Sequence, residues 1–183
     1  MSMAGNTSTG SKEGTLRLLT PGEISLAKTV FRSSIDYHKV WIHHSSYLPF
    51  DLQDEHTAMT PNGELYFKHC YKEDFSEEAP FLQNLFIHEM THVWQLKNGM
   101  NVKFRGLVSW LVSYRYRLDG RLLYEYPMEQ QAQIIADNFT LQNEGYRGWC
   151  NLIISQVVAL DGDISESSVR KRYATALRGF PWS

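Results

Sequence analysis

The chain has 183 residues, 43% of them hydrophobic and 13% aromatic, which is enough for one sizeable core and predicts a single domain. A formal net charge of −2, with no basic run long enough to track phosphates, argues against nucleic acid as a partner. No run of about 18 apolar residues occurs, so no helix is expected to span a membrane.

Residues 1–14 are rich in Gly, Ser and Thr and lack the apolar segment of a secretory signal. They read as a flexible leader ahead of one domain over residues 15–183. The expectation is synthesis in the cytoplasm without a signal peptide, and any export by a route that ignores one. The leader closes at Leu16-Arg17-Leu18-Leu19, and Thr20-Pro21-Gly22-Glu23 then has the form of a capping box with proline at the first helical position. Ile24, Leu26, Ala27, Val30 and Phe31 give the helix that follows its apolar face.

Val40-Trp41-Ile42, ending in His43-His44, is a short β-prone run and is read as a strand. Thr57-Ala58-Met59 and Glu64-Leu65-Tyr66-Phe67 flank Thr60-Pro61-Asn62-Gly63, and the Asn-Gly pair predicts a hairpin. A strand lying across a catalytic site can pair with an extended peptide by edge addition.

A helix over residues 77–97 follows. Ser76, Glu77 and Glu78 supply a cap and negative charge, Pro80 suits the first turn, and Lys97, Asn98 and Gly99 mark the end. Phe81, Leu82, Leu85, Phe86, Val93 and Leu96 make it a buried helix. Within it, His88-Glu89-Met90-Thr91-His92 places two histidines four residues apart on one face, where both imidazoles can reach one ion at about 2.0–2.1 Å. Glu89 falls beside that ion rather than on it, which suits a general base acting on water. Two histidines and a glutamate on an otherwise apolar helix are costly without a shared task; the competing reading is a pair of hydrogen-bonded interior histidines.

The segment Val102–Tyr116 fits a strand through Val108, Trp110, Val112, Tyr114 and Tyr116 and a helix through Leu107, Leu111 and Tyr114. A core segment with snorkelling arginines is favoured over a substrate-binding or membrane-touching flap. Pro127 opens a helix ending at Glu144-Gly145, another passes through Leu152, Ile153, Val157 and Leu160, and a last one spans residues 165–178. Cys70 and Cys150 fit no zinc spacing and read as two unrelated thiols.

A catalytic zinc takes three protein ligands and keeps a fourth position open. All seven histidines lie at or before His92, so a downstream third ligand has to be something else. Where metzincins have glycine and then histidine, this chain has Gln95 and Asn98. That leaves a carboxylate among Asp119, Glu125, Glu129, Asp137, Glu144, Asp161, Asp163 and Glu166. Glu129, in the first turn of a helix opened by Pro127, is the candidate; a helix-capping glutamate is the competing reading. Asp137, two turns on, is either a partner that orients a histidine ligand or an exposed helix acid. Tyr126, Tyr124, Tyr116 and His43 are unranked candidates for an oxyanion donor.

Five blocks carry a resemblance: Leu-Thr-Pro-Gly-Glu at 19–23, Thr-Ala-Met-Thr-Pro-Asn-Gly-Glu at 57–64, Phe-Ile-His-Glu-Met-Thr-His-Val-Trp-Gln at 86–95, Tyr-Arg-Tyr-Arg-Leu at 114–118 and Met-Glu-Gln-Gln-Ala at 128–132. Together they resemble the small Vgr/Rhs-associated metallopeptidase-like proteins of bacterial type VI secretion systems. The resemblance implies an α+β, mostly helical, zincin-like domain, with a small hairpin or sheet beside the motif helix and helices toward the C-terminus. It also implies a gluzincin-type Zn2+ site, His88, His92 and Glu129, with Glu89 as the catalytic base, hydrolysing peptide or amide bonds. Delivery on a Vgr/Rhs spike, antibacterial action in the target-cell periplasm and a cognate immunity protein are further implications. Two rivals stay open: a zinc-stabilised, non-hydrolytic cargo or adaptor module of the spike, and an amidase acting on cell-wall peptides.

Overall fold

A computed structural model describes residues 12–47, 58–100 and 114–182. Among them are four strands, β1 (Leu16–Leu18), β2 (Trp41–His43), β3 (Ala58–Met59) and β4 (Leu65–Phe67), and five α-helices, α1 (Pro21–Phe31), α2 (Pro80–Lys97), α3 (Met128–Asn143), α4 (Gly145–Ile154) and α5 (Glu166–Ala176). The class is α+β and mostly helical, as the sequence implies. No helix among the described residues is long and apolar enough to cross a membrane.

The strands form one sheet in the order β1-β2-β4-β3. β1 and β2 are antiparallel, β2 and β4 parallel, and β3 and β4 form the expected hairpin, with Ala58 opposite Phe67 and Met59 opposite Tyr66. Gly63 takes φ +85° in the hairpin loop, a left-handed conformation that glycine adopts without steric cost. β1 was not foreseen, because Leu16–Leu18 reads as the end of a leader. Its alternation is inverted: Leu16 and Leu18 are exposed, whereas Arg17 points inward to a buried glutamate.

That glutamate is Glu23. The capping box forms as its sequence predicts, with Glu23 N donating to Thr20 Oγ1 at 3.0 Å and Thr20 N to Glu23 Oε2 at 2.9 Å. The same carboxylate receives both Arg17 terminal nitrogens at 2.8 Å and Phe75 N at 2.9 Å. One carboxylate thus joins β1, the start of α1 and the 3-10 turn Phe75–Glu77 that precedes α2. Gly22 leaves room beside this junction: a Cβ there would lie 2.1 Å from Ser76 Oγ and would push that hydroxyl off Asp74.

α2 begins at Pro80, three residues later than expected, with Ala79 at its N-cap. Asp74 takes Ser76 into the preceding 3-10 turn by accepting from Ser76 N and Oγ, which removes Ser76 as a helix cap. Phe86, Ile87, Met90 and Trp94 on α2 are fully buried. α2 packs chiefly on α3, and α3 packs in turn on α4. Behind α2, Trp94 meets Phe180 and Trp182 edge to face at 5.0 and 4.9 Å.

Two helix limits differ from expectation. α4 stops at Ile154, because Gln156 adopts φ 60°, and the chain then turns so that Leu160 bridges to Tyr116 in parallel. Val157 and Leu160 therefore lie outside the helix that includes Leu152 and Ile153. Pro127 is the N-cap residue of α3 rather than its first residue. Of the ambiguous segment Val102–Tyr116, residues 102–113 lie outside the described residues. Cys70 and Cys150 are not joined in a disulfide.

Candidate metal centre

His88 and His92 project from successive turns of α2, their ring centroids 5.1 Å apart. Glu129 enters from the first turn of α3 and is buried with them. Its Oε2 lies 3.4 Å from His88 Nε2 and 3.2 Å from His92 Nε2. The three ligand atoms all lie within 4.8 Å of one another, so this group could hold a metal ion. The two contacts match the edge of a tetrahedron: for ligand bonds of about 2.0–2.1 Å, neighbouring ligand atoms stand about 3.3 Å apart.

Hydrogen bonding also fixes which nitrogen faces the cluster. His92 Nδ1 sits 2.7 Å from Gln95 Oε1, and an amide oxygen can only accept, so Nδ1 is the donor there and Nε2 is the nitrogen turned to Glu129. Gln95 is itself fixed, donating to Met128 O at 2.9 Å and Gln131 Oε1 at 3.2 Å at the start of α3. Burial opposes charge on His92, yet Glu129 and, more weakly, Glu89 raise its pKa to about 9. Burial pushes Glu129 the other way, but His92 and His88 hold its carboxyl well below the usual range. A metal ion held by these three residues would take the place of the proton that His92 otherwise carries toward Glu129.

Glu89, one residue past His88, is buried and accepts from Thr60 Oγ1 at 2.7 Å. Thr60 directly follows β3, so the hairpin reaches over to hold this carboxylate. His88 and Glu89 lie in the wall of a cleft of about 360 Å³, whose other sides include Phe81, Leu85, Tyr114 and Val157. The Tyr114 ring packs on His88 at 5.6 Å between centroids.

Asp137 has neither of its expected roles. It is fully buried, not exposed, and its partners are not histidines. Oδ1 accepts from Asn84 Nδ2 at 3.1 Å and Gln133 Nε2 at 2.7 Å, and Oδ2 from Tyr116 Oη at 2.8 Å and Ala159 N at 3.0 Å. Burial raises its pKa to about 6, against the pull of these four donors. The histidine-orienting role belongs instead to Gln95. Spacing offers a signal for it: three residues on from His92, it shares that histidine's face of the helix. No such signal exists for Thr60, whose contact crosses 29 positions.

The oxyanion candidates are placed elsewhere by their contacts. Tyr116 serves Asp137, Tyr126 Oη donates to Arg117 O at 3.1 Å, Tyr124 is 62% exposed, and His43 Nε2 pairs with Glu64 at 2.7 Å. Tyr114 is the tyrosine that the described contacts bring to the cluster.

No family model matches the chain. The chain is 38% identical over 174 residues to the type VI secretion system spike protein VgrG2b of Pseudomonas aeruginosa, a match covering 90% of this chain and 15% of that protein. The solved effector domain of Pseudomonas aeruginosa VgrG2b is 36% identical, with a TM-score of 0.62 over 86% of this chain and 90% of that one. Its fold and sequence place the chain in the family of the VgrG2b effector domain, a type VI secretion effector family.

Proposed function

We propose that the chain is a zinc-dependent peptidase effector with a zincin-like, gluzincin-type site. His88, His92 and Glu129 would hold the ion, and Glu89 would act as general base. One observation carries this reading: three ligand atoms within 4.8 Å of one another, two of the three spacings matching a tetrahedral edge, stand next to a carboxylate that is hydrogen-bonded in place and lines a cleft. When bound, zinc supplies Lewis acidity that brings the pKa of water down to about 7 and stabilises negative charge on a carbonyl oxygen.

The remaining work falls to the chain. Glu89 Oε takes a proton from the attacking water and passes it to the leaving nitrogen as the C–N bond breaks. Thr60 holds that carboxylate toward the cleft. β3 ends the described sheet, so an extended peptide laid along it would run past Thr60 and Glu89. A purely structural zinc site closes all four positions with protein, whereas this cluster offers three ligands among the described residues and borders a cleft. That favours the peptidase over a non-hydrolytic spike module.

Kinship to VgrG2b supports carriage on a Vgr spike by the type VI system. Action on a neighbouring cell's periplasm, with a cognate immunity protein, completes the proposal. Incubating zinc-loaded wild type and Glu89→Ala with a mixture of defined peptides tests it. Cleavage by wild type alone, with equal zinc in both, is the expected result; equal cleavage by Glu89→Ala would refute the mechanism.

A further inference from the structure

We propose that the cleft beside the metal cluster is a side-chain subsite selecting a neutral aromatic side chain with a hydrogen-bond donor, tyrosine or tryptophan, through the amide oxygens of Asn84 and Gln133. As a statement about substrate, it rests on the peptidase reading above. As a statement about binding, it stands on the chemistry of the cleft itself.

The orientation of both amides is fixed by Asp137. A carboxylate accepts and does not donate, so Asn84 and Gln133 must turn their nitrogens toward it. Their remaining N–H groups are also committed, Asn84 Nδ2 to Thr140 Oγ1 at 3.0 Å and Gln133 Nε2 to Val157 O at 3.1 Å. Each amide has spent both hydrogens and retains only an oxygen. The two side chains line the cleft yet are only 3% and 7% exposed. No described residue donates to either oxygen, so both are left to water or to a ligand that enters the cleft. A ligand bringing an O–H or N–H supplies the donor.

Walls and size narrow the ligand. Phe81, Leu82, Leu85 and Val157 are apolar, and about 360 Å³ is near the lower end of ligand pockets, about 300–1,000 Å³, a space for one large side chain. A lysine ammonium would also find acceptors here, but stripping its water requires a counter-charge. Asp137, the carboxylate behind the amides, already accepts four hydrogen bonds, and Glu89, the other carboxylate at the cleft, is tied to Thr60 beside the metal ligands and away from the two amides in its role as base. Tyrosine and tryptophan combine an apolar body with one donor at its edge.

The test uses three small probes on the full, zinc-loaded chain, followed by methyl-detected NMR: p-cresol, toluene and n-butylamine. We expect p-cresol to shift the Leu82 and Leu85 methyls and bind about tenfold or more tighter than toluene, the worth of one hydrogen bond. Leu85→Trp, or Val157→Phe if the first does not fold, should abolish those shifts. Equal affinity for p-cresol and toluene, tighter binding of n-butylamine, or shifts away from the cleft would each overturn the subsite. In parallel, peptides differing only in Tyr, Trp or Phe at one position are offered as substrates. Selective p-cresol binding with no peptide cleaved by wild type would remove the peptidase reading and keep the subsite. Cleavage indifferent to Tyr or Trp over Phe, with equal probe binding, would remove the subsite and keep the peptidase.

Discussion

Gln95 Oε1 lies 2.7 Å from His92 Nδ1, and the Gln95 amide donates in turn to the carbonyl of Met128, one residue before Glu129. The second metal histidine and the turn carrying the carboxylate ligand are thus held by one side chain. Gln95→Leu should lower metal affinity by about 10–100-fold, the usual cost of removing a group that orients a ligand. Chelator competition monitored by metal release measures this, and an unchanged affinity would deny Gln95 that role.

Thr60 and Glu89 make the corresponding link between hairpin and motif helix. Thr60→Val removes the hydroxyl at nearly constant volume and leaves Glu89 short of one donor, so stability should fall by about 1–3 kcal/mol. Zinc content should hold while kcat drops about tenfold or more with KM little changed, because the base is displaced and the ligands are not. Thr60→Ser should restore kcat. Failure of the serine variant to do so would point to packing of the threonine methyl instead.

Glu23 joins Arg17, Thr20 and Phe75 through one buried carboxylate. Glu23→Ala strands the half-buried Arg17 guanidinium and should cost about 3–5 kcal/mol in urea unfolding. A loss under about 1 kcal/mol would mean that water replaces the carboxylate without penalty.

Short-range chemistry was readable in advance. The Thr20-Glu23 capping box, the Asn62-Gly63 hairpin and the His88-Glu89-His92 spacing are set within a few residues, and each forms where its pattern occurs. Glu129 was reached by excluding other ligands and by resemblance, and it does meet both histidines. What escaped depends on partners far along the chain. β1 hides because Arg17 turns inward to Glu23, Thr60 looks like part of a turn until Glu89 is placed beside it, and Asp137 resembles a surface helix acid until α2, Tyr116 and Ala159 close over it.

Asp137 predicts a pH dependence of known sign. Its folded pKa, raised by burial to about 6 from 3.8, means that its contribution to stability is full below 3.8 and declines as pH rises to about 6. Asp137→Asn lacks this titration, so its deficit against wild type should be larger at pH 4 than at pH 7. Urea unfolding of both proteins across that range checks it; a deficit that grows with pH would reverse the sign.

The central claim is that His88, His92 and Glu129 hold a catalytic zinc served by Glu89. Elemental analysis of wild type, Glu129→Ala and Glu89→Ala, paired with viability of bacteria expressing each in the periplasm, tests it most directly. The account predicts about one zinc per chain and toxicity in wild type, loss of metal and toxicity in Glu129→Ala, and retained zinc without toxicity in Glu89→Ala. A wild type without metal, or a Glu89→Ala protein as toxic as wild type, would contradict it.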